Sequence, residues 1–346
     1  MFAGIKNLFS KGEQTYHNST VHPYNQSMAD NPTGELSSRS PLKLKVIGDL
    51  YYRHLAGVSA TLKRPINAQE KEALDKIETL IKSQDKTPTL IPRMPGVIPK
   101  LIQLLRSDSY NTKDVSALIS TDPALVAKVL SLVNSPYFRT SVPSNDIDQA
   151  IQQLGYNGLR EIIMSVALKP IMQFDKGFFH QKAAKNIAEL SQKVAIACRV
   201  LAKQTDIDPF DAYVAGLMHC TGSMAVLRKL NQISKVLELP KTKNFQQQAI
   251  YFAAQLSFLI AKQWEMSDPI TTSLREQIDS DHQRPQSSLG QLLELGIRIA
   301  QLHTLASSGN FAAPSKILKI IIQHPLGKEA IHAYSALCAA EPKQTI

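Results

Sequence analysis

The stretch Thr121-Asp122-Pro123-Ala124-Leu125-Val126-Ala127-Lys128-Val129-Leu130-Ser131-Leu132-Val133-Asn134-Ser135-Pro136 decides the fold class. Asp122 offers an N-cap carboxylate, and Pro123 fills the first helical position, where its missing N–H costs nothing. Leu125, Val126, Val129, Leu130, Leu132 and Val133 then recur at helical spacing until Asn134-Ser135-Pro136 stops the run.

The same grammar extends toward the C-terminus. Ser144 or Asn145 is expected to cap a helix through Ile147, Ile151 and Leu154, closed by Gly155. Asn157 then caps Leu159 to Lys169, ended by Pro170. His180 to Lys203 carries Ile187, Leu190, Val194, Ala197 and Leu201 as one apolar stripe. Asp208-Pro209 opens a helix running into His219, with Ala212, Ala215, His219 and Gly222 expected on one face. Further helices are expected over 245–264, 269–279, 289–305, 314–323 and 328–340.

Toward the N-terminus, Thr112 is expected to cap a helix through Val115, Leu118 and Ile119, preceded by another over Val97 to Arg106. The Pro-rich run from Thr87 to Gly96 reads as a boundary. Before it, Asn67 and Glu70 have the spacing of a capping box, and Ala73/Leu74, Ile77 and Leu80/Ile81 follow as a stripe. An earlier helix is expected from about Leu42 to Leu62. Residues 12–41 are polar and poor in aliphatics, as in a linker unable to bury enough surface to order itself.

Short helices, short loops and almost no period-2 alternation predict an all-α, multi-helix fold. No repeat period stands out. The expected organisation is a linker over 1–41, a helical extension over 42–87, a main domain over 88–285, and C-terminal helices over 286–346 packed on it.

The bulk chemistry narrows the function. At 346 residues, 43% hydrophobic and 20% charged, the chain has ample core for a globular protein. Its net charge of +10 permits acidic partners, but Lys and Arg are scattered among Asp and Glu. A nucleic-acid footprint clusters its charge, so such a partner is disfavoured. No apolar run reaches the length of a membrane span. Three distant cysteines, Cys198, Cys220 and Cys338, fit a reducing compartment, so a cytoplasmic location is expected. Phe2, Ile5, Leu8 and Phe9 share a face beside Lys6 and Lys11, and are read as a short self-docking segment rather than a signal or anchor.

Five pieces in order resemble the HDOD domain of bacterial signalling proteins, from about Thr89 to Pro285. They are Ile91-Pro92-Arg93-Met94-Pro95, Leu118 to Leu125 continuing to Asn134-Ser135, Ala150-Ile151 with Leu154-Gly155 and Leu159-Arg160, Ala215 to His219 with Gly222, and Trp264 with Pro269. The resemblance implies an all-α relative of the HD metal-dependent phosphohydrolases, a module that has generally lost catalysis and acts in signal transduction and protein contacts. Relatives often carry His-Asp where this chain has His219-Cys220, and the family's earlier His falls at Leu190. Two of the first three metal ligands are thereby missing.

The residues carry the same weighing. Hydrolysis at such a site needs several His and Asp ligands to hold a metal and acidify its water. A mononuclear zinc site from His219 and Cys220 with a remote Asp279, Asp281 or His282 is the enzymatic alternative, a retuned phosphohydrolase acting on a nucleotide or cyclic dinucleotide. The favoured reading makes His219 a core histidine and Cys220 a small buried thiol, both vestigial, with no metal and no cofactor. A Cys220–His219 nucleophile fails because sequence neighbours on a helix point apart. His180, His303, His324 and His332 have no ligand spacing. For protein contact, the candidates are Asn134, Ser135, Tyr137 and Arg160 at helix junctions, against loop capping by the first two and simple solvation of Arg160. The expectation is a non-enzymatic HDOD signalling scaffold with a protein partner and an unassigned oligomeric state.

Overall fold

Gly57 shows how local chemistry sets the architecture. Helix α1 (Leu44–Ala56) ends there in a left-handed residue with φ 66°. Val58 N–H donates to the Arg53 carbonyl and Gly57 N–H to that of His54, a Schellman closure that only a glycine adopts without strain. The expected helix to Leu62 is therefore too long. Leu62 instead lies in extended chain, where its N–H donates to Lys241 and its carbonyl accepts from Lys243.

The computed structural model describes residues 44–58, 60–82, 101, 111–135, 143–173, 180–233, 239–278, 285–309 and 327–340. They all fall within the unit spanning Arg39–Ile346. Twelve helices occur among them: α1, then α2 (Ala68–Lys82), α3 (Thr112–Ser120), α4 (Pro123–Val133), α5 (Ile147–Met172) and α6 (Gln181–Ala202), followed by α7 (Pro209–His219), α8 (Thr221–Gln232), α9 (Lys243–Gln263), α10 (Asp268–Glu276), α11 (Ser288–Ser307) and α12 (Gly327–Ala340). The all-α fold class is as expected. The boundary at 87–96, the helices over 97–106 and 314–323, Tyr137, His324 and the segment before Leu44 lie outside the described residues.

Several start signals are used as read. Asn67 Oδ1 accepts from Glu70 N–H while Glu70 Oε2 accepts from Asn67 N–H, a complete capping box. Asp122 caps α4 through Leu125 N–H, and Asp208 caps α7 through Phe210 N–H. Two caps shift by a residue or two. Asn111, not Thr112, caps α3, and Asp146, rather than Ser144 or Asn145, caps α5. Each carboxylate or amide reaches the second or third N–H from its own position, which fixes the first turn there. Gly155 interrupts α5 with φ 62°, so the two stretches expected on either side meet at a kink.

The core is organised around α6. α7, α11 and α12 all pack on it, and α8 pairs with α9. Gly216 permits a close approach: a Cβ there would lie 2.6 Å from Ala195 Cα, so α7 touches the α6 backbone. Gly222 does the same for α9, where a Cβ would meet the Ala253 carbonyl. Gly222 was expected on the helix of His219, but it opens the following one, because the chain turns at Cys220. The N-terminal helices belong to the same body. α1 packs on α11 and α6, and α2 packs on α9 and α8.

Candidate functional site

The turn between α7 and α8 carries the residues singled out from the sequence, and three hydroxyls hold it. Ser257 Oγ on α9 donates to the His219 carbonyl and accepts from Gly222 N–H, at 2.7 and 2.9 Å. Thr221 Oγ1 donates to the Met218 carbonyl, and Ser191 Oγ on α6 to that of Leu217. These bonds satisfy carbonyls that end a helix in the protein interior. His219 is thus fixed at a defined point.

His219, Cys220 and Leu190 border one cavity of about 460 Å³. Its walls come from α1, α6, α8, α9 and α11, with Gln277 and Ile278 following α10. A sizeable volume is left unfilled by side chains beside these positions. Leu190 is 4% exposed, an apolar contribution to the wall.

Three ionisable groups beside the turn, His219, Cys220 and Tyr51, are held neutral by burial. His219 is enclosed by protein although it keeps some surface toward the cavity. Burial, helped by the Arg298 charge, pulls its pKa down to about 4. The Cys220 thiol is pushed up to about 12, because a thiolate would be poorly solvated there. Tyr51 on α1 is raised well above the usual phenol range by burial, with Cys220 and Glu189 adding to it. At neutral pH the residues beside the turn are an imidazole, a thiol and a phenol. Arg298 Nη1 donates to Gln301 Oε1 at 3.0 Å.

These residues do not fit the metal that an HD-type site implies. A divalent ion needs deprotonated or lone-pair donors converging on it, and the carboxylate and second imidazole are replaced by a protonated thiol and a leucine. Among the described residues, no group of three or more His, Cys, Asp and Glu side chains could hold an ion. Asp279, Asp281 and His282 lie outside the described residues.

α1 closes one side of the cavity. Tyr51 Oη donates to the Asn186 carbonyl at 3.2 Å, Tyr52 Oη to that of Pro240 at 2.8 Å, and Gln246 Nε2 to Asp49 Oδ1 at 2.9 Å. Gly48 lets α1 come close to α11, since a Cβ there would sit 3.0 Å from Arg298 Nη1. The sequence pattern gave no sign of these partners, which converge from helices remote along the chain.

The candidate contact residues have other neighbours. The Asn134 side chain spans to Ser144, donating to its carbonyl and accepting its N–H, each at 2.9 Å, and so ties together the two ends of the 136–142 connection. Ser135 Oγ is buried and meets no hydrogen-bond partner among the described residues. The Arg160 guanidinium lies 3.7 Å from the centroid of the Phe210 ring, a cation–π contact rather than simple solvation. Three other histidines named from the sequence stand apart from the described cavity lining: His180 precedes α6, His303 meets the Tyr334 ring at 5.4 Å, and His332 is on the surface.

Comparison with known proteins agrees with the all-α fold. The family model for the HDOD domain matches residues 91–280. A protein of Treponema pallidum (strain Nichols), named only as uncharacterized, is 25% identical over 245 residues, or 68% of this chain. That match spans 47% of the relative, about half its length. A candidate metal-dependent phosphohydrolase from Shewanella amazonensis SB2B has TM-score 0.56 at 16% identity, over 80% of this chain and 100% of that one. An HDOD domain protein of unknown function from Geobacter sulfurreducens has TM-score 0.55 at 19% identity, over 78% and 93%. A candidate signal transduction protein from Marinobacter aquaeolei VT8 has TM-score 0.50 at 18% identity, over 79% and 65%. At these identities the likeness is one of fold. No helix among the described residues is long and apolar enough to cross a membrane.

Proposed function

The chain belongs to the HDOD domain family, and from that premise we propose that it is a non-enzymatic cytoplasmic signalling protein whose domain serves contact with a protein partner. One observation carries this reading: the two positions that should complete the metal site beside His219 are Leu190 and Cys220, in a cavity whose buried groups are neutral. Without a metal there is no acidified water and no Lewis acid for a phosphoryl oxygen. Neither buried group replaces it. A thiol with its pKa near 12 is a weak nucleophile at neutral pH, and an imidazole with its pKa near 4 is a weak base. The naming of one structural neighbour as a candidate signal transduction protein points the same way.

The test is hydrolysis of p-nitrophenyl phosphate and bis(p-nitrophenyl) phosphate by the purified chain, supplemented in turn with manganese, iron and zinc. The expected rate equals that of the His219→Ala variant under every metal. A metal-dependent rate lost in that variant would establish the retuned phosphohydrolase instead.

A further inference from the structure

The cavity beside His219 is sizeable although the residues around it do not fit a metal. Side chains in protein interiors pack at crystal-like density, and lining atoms that face a void forfeit dispersion contacts. A volume of about 460 Å³ is well above what one water fills and lies within the range of small-molecule sites, roughly 300–1,000 Å³. Ile187, Leu190, Leu230, Leu239 and Phe245 contribute to a mainly apolar wall. Among the described residues the uncharged polar groups are Tyr51, His219 and Cys220 together, the hydroxyls of Tyr52, Ser223 and Tyr251, and the amides of Gln247, Gln277 and Gln301.

The charge of the lining indicates the ligand class. Among the described residues it contains one carboxylate and one guanidinium, Asp49 and Arg298, which sum to zero. Asp49 accepts from Gln246 and Arg298 donates to Gln301. A phosphate ligand calls for an excess of positive charge, and the described lining offers no such excess. An ionised group would also lose its hydration on entry. An uncharged molecule avoids both costs, and a single hydroxyl, amine or amide on it can meet the Tyr51–His219 end.

The route in is also marked. Three large hydrophobic side chains are exposed among the described residues, and two of them, Ile250 at 46% and Tyr251 at 40%, line this cavity. They lie on consecutive positions of α9, so the apolar lining continues to the protein surface.

We propose that the cavity bordered by α1, α6, α8, α9 and α11 is a receptor site for a small, uncharged, largely apolar molecule with one hydrogen-bonding group. It takes its polar end from Tyr51 and His219 and its entrance from Ile250 and Tyr251. Because α1 supplies Tyr51, Tyr52 and Leu55 to the wall, occupancy strengthens the docking of α1. This goes beyond the signalling reading, and the two fail separately: hydrolytic activity would overturn that reading and leave this binding test untouched.

The test is a fluorescence titration of the full chain at neutral pH with 1-aminoanthracene, an apolar ring system with one amine. Saturable, blue-shifted binding at one site per chain is expected. Ile250→Asp, at an exposed position that tolerates a polar residue, should weaken it about tenfold, the loss of one good apolar contact plus a desolvated charge. Ala249→Phe, which fills the cavity, should abolish it. Melting curves are recorded for both, and if Ala249→Phe melts early, Ile250→Asp alone decides. The anionic analogue 1-anilinonaphthalene-8-sulfonate should bind more weakly than the amine. No saturable binding, parental affinity in the deciding variant, or tighter binding of the sulfonate would each overturn the proposal.

Discussion

Helix α7 carries buried polar chemistry at both ends, and the two ends solve the same problem differently. At its first half, Tyr213 shares a hydrogen bond with Ser165 at 2.7 Å, and the Arg199 guanidinium lies 6.0 Å from its ring centroid. Arg199 also pairs with Glu161, whose side chain is 5% exposed. This region keeps its charges and satisfies them with one another. At the far end, His219 and Cys220 border an open cavity and are neutral. A paired charge can be packed into a dry core. The turn at His219, which has no adjacent carboxylate, carries groups that are neutral.

The largest expected effect lies in the paired region. Arg199→Met leaves the Glu161 carboxylate buried without its partner and should destabilise the chain by about 3–5 kcal/mol in urea unfolding. The double variant Glu161→Leu with Arg199→Met should recover most of that loss. A cost for Arg199→Met as small as that of an exposed ion pair would erase the contrast between the two ends.

Acid should separate them by sign. Burial lowers the folded pKa of His219, so the unfolded chain binds its proton first and stability falls as the pH drops from about 6.5 toward 4. Burial raises the pKa of Glu161 despite Arg199, so the folded chain binds that proton first, and this contribution to stability grows as the pH falls through the raised value. Urea midpoints measured against pH should therefore flatten over that window in His219→Gln and steepen in Glu161→Gln. The same change of slope in both variants would contradict the assignment.

A smaller effect concerns the wall over the cavity. Tyr52→Phe removes the bond to the Pro240 carbonyl and should cost about 0.5–1.5 kcal/mol, with faster hydrogen exchange in α1. Unchanged exchange there would mean that this tether does not hold the helix.

Which parts were legible follows from the range of the forces involved. Caps act over three or four residues, so Asn67 with Glu70, Asp122-Pro123, Asp208-Pro209 and the break at Gly155 could be read directly. Gly57 was an equally local signal that went unused, and the first helix was drawn too long as a result. Helix α8 was missed because Cys220-Thr221-Gly222 looks like the end of one helix and carries no side-chain cap for the next. The reading of Leu190 and Cys220 as degenerate ligand positions rests on resemblance to a family, and the structure adds that both border one cavity. The cavity was not, since Tyr51, Leu190, Phe245 and Arg298 share no local pattern and meet only when α1, α6, α9 and α11 close around the turn. Arg160 was weighed as a surface residue for the same reason: Phe210 lies beyond any periodicity that links them.

We propose above that the turn at His219 is not a metal centre. The direct measurement is metal content: incubate the purified full chain with manganese, iron or zinc, remove unbound ion by gel filtration, and count metal per chain by mass spectrometry. The account predicts only trace metal, equal in the parent chain and in His219→Ala. A stoichiometric ion retained by the parent and absent from His219→Ala would contradict it.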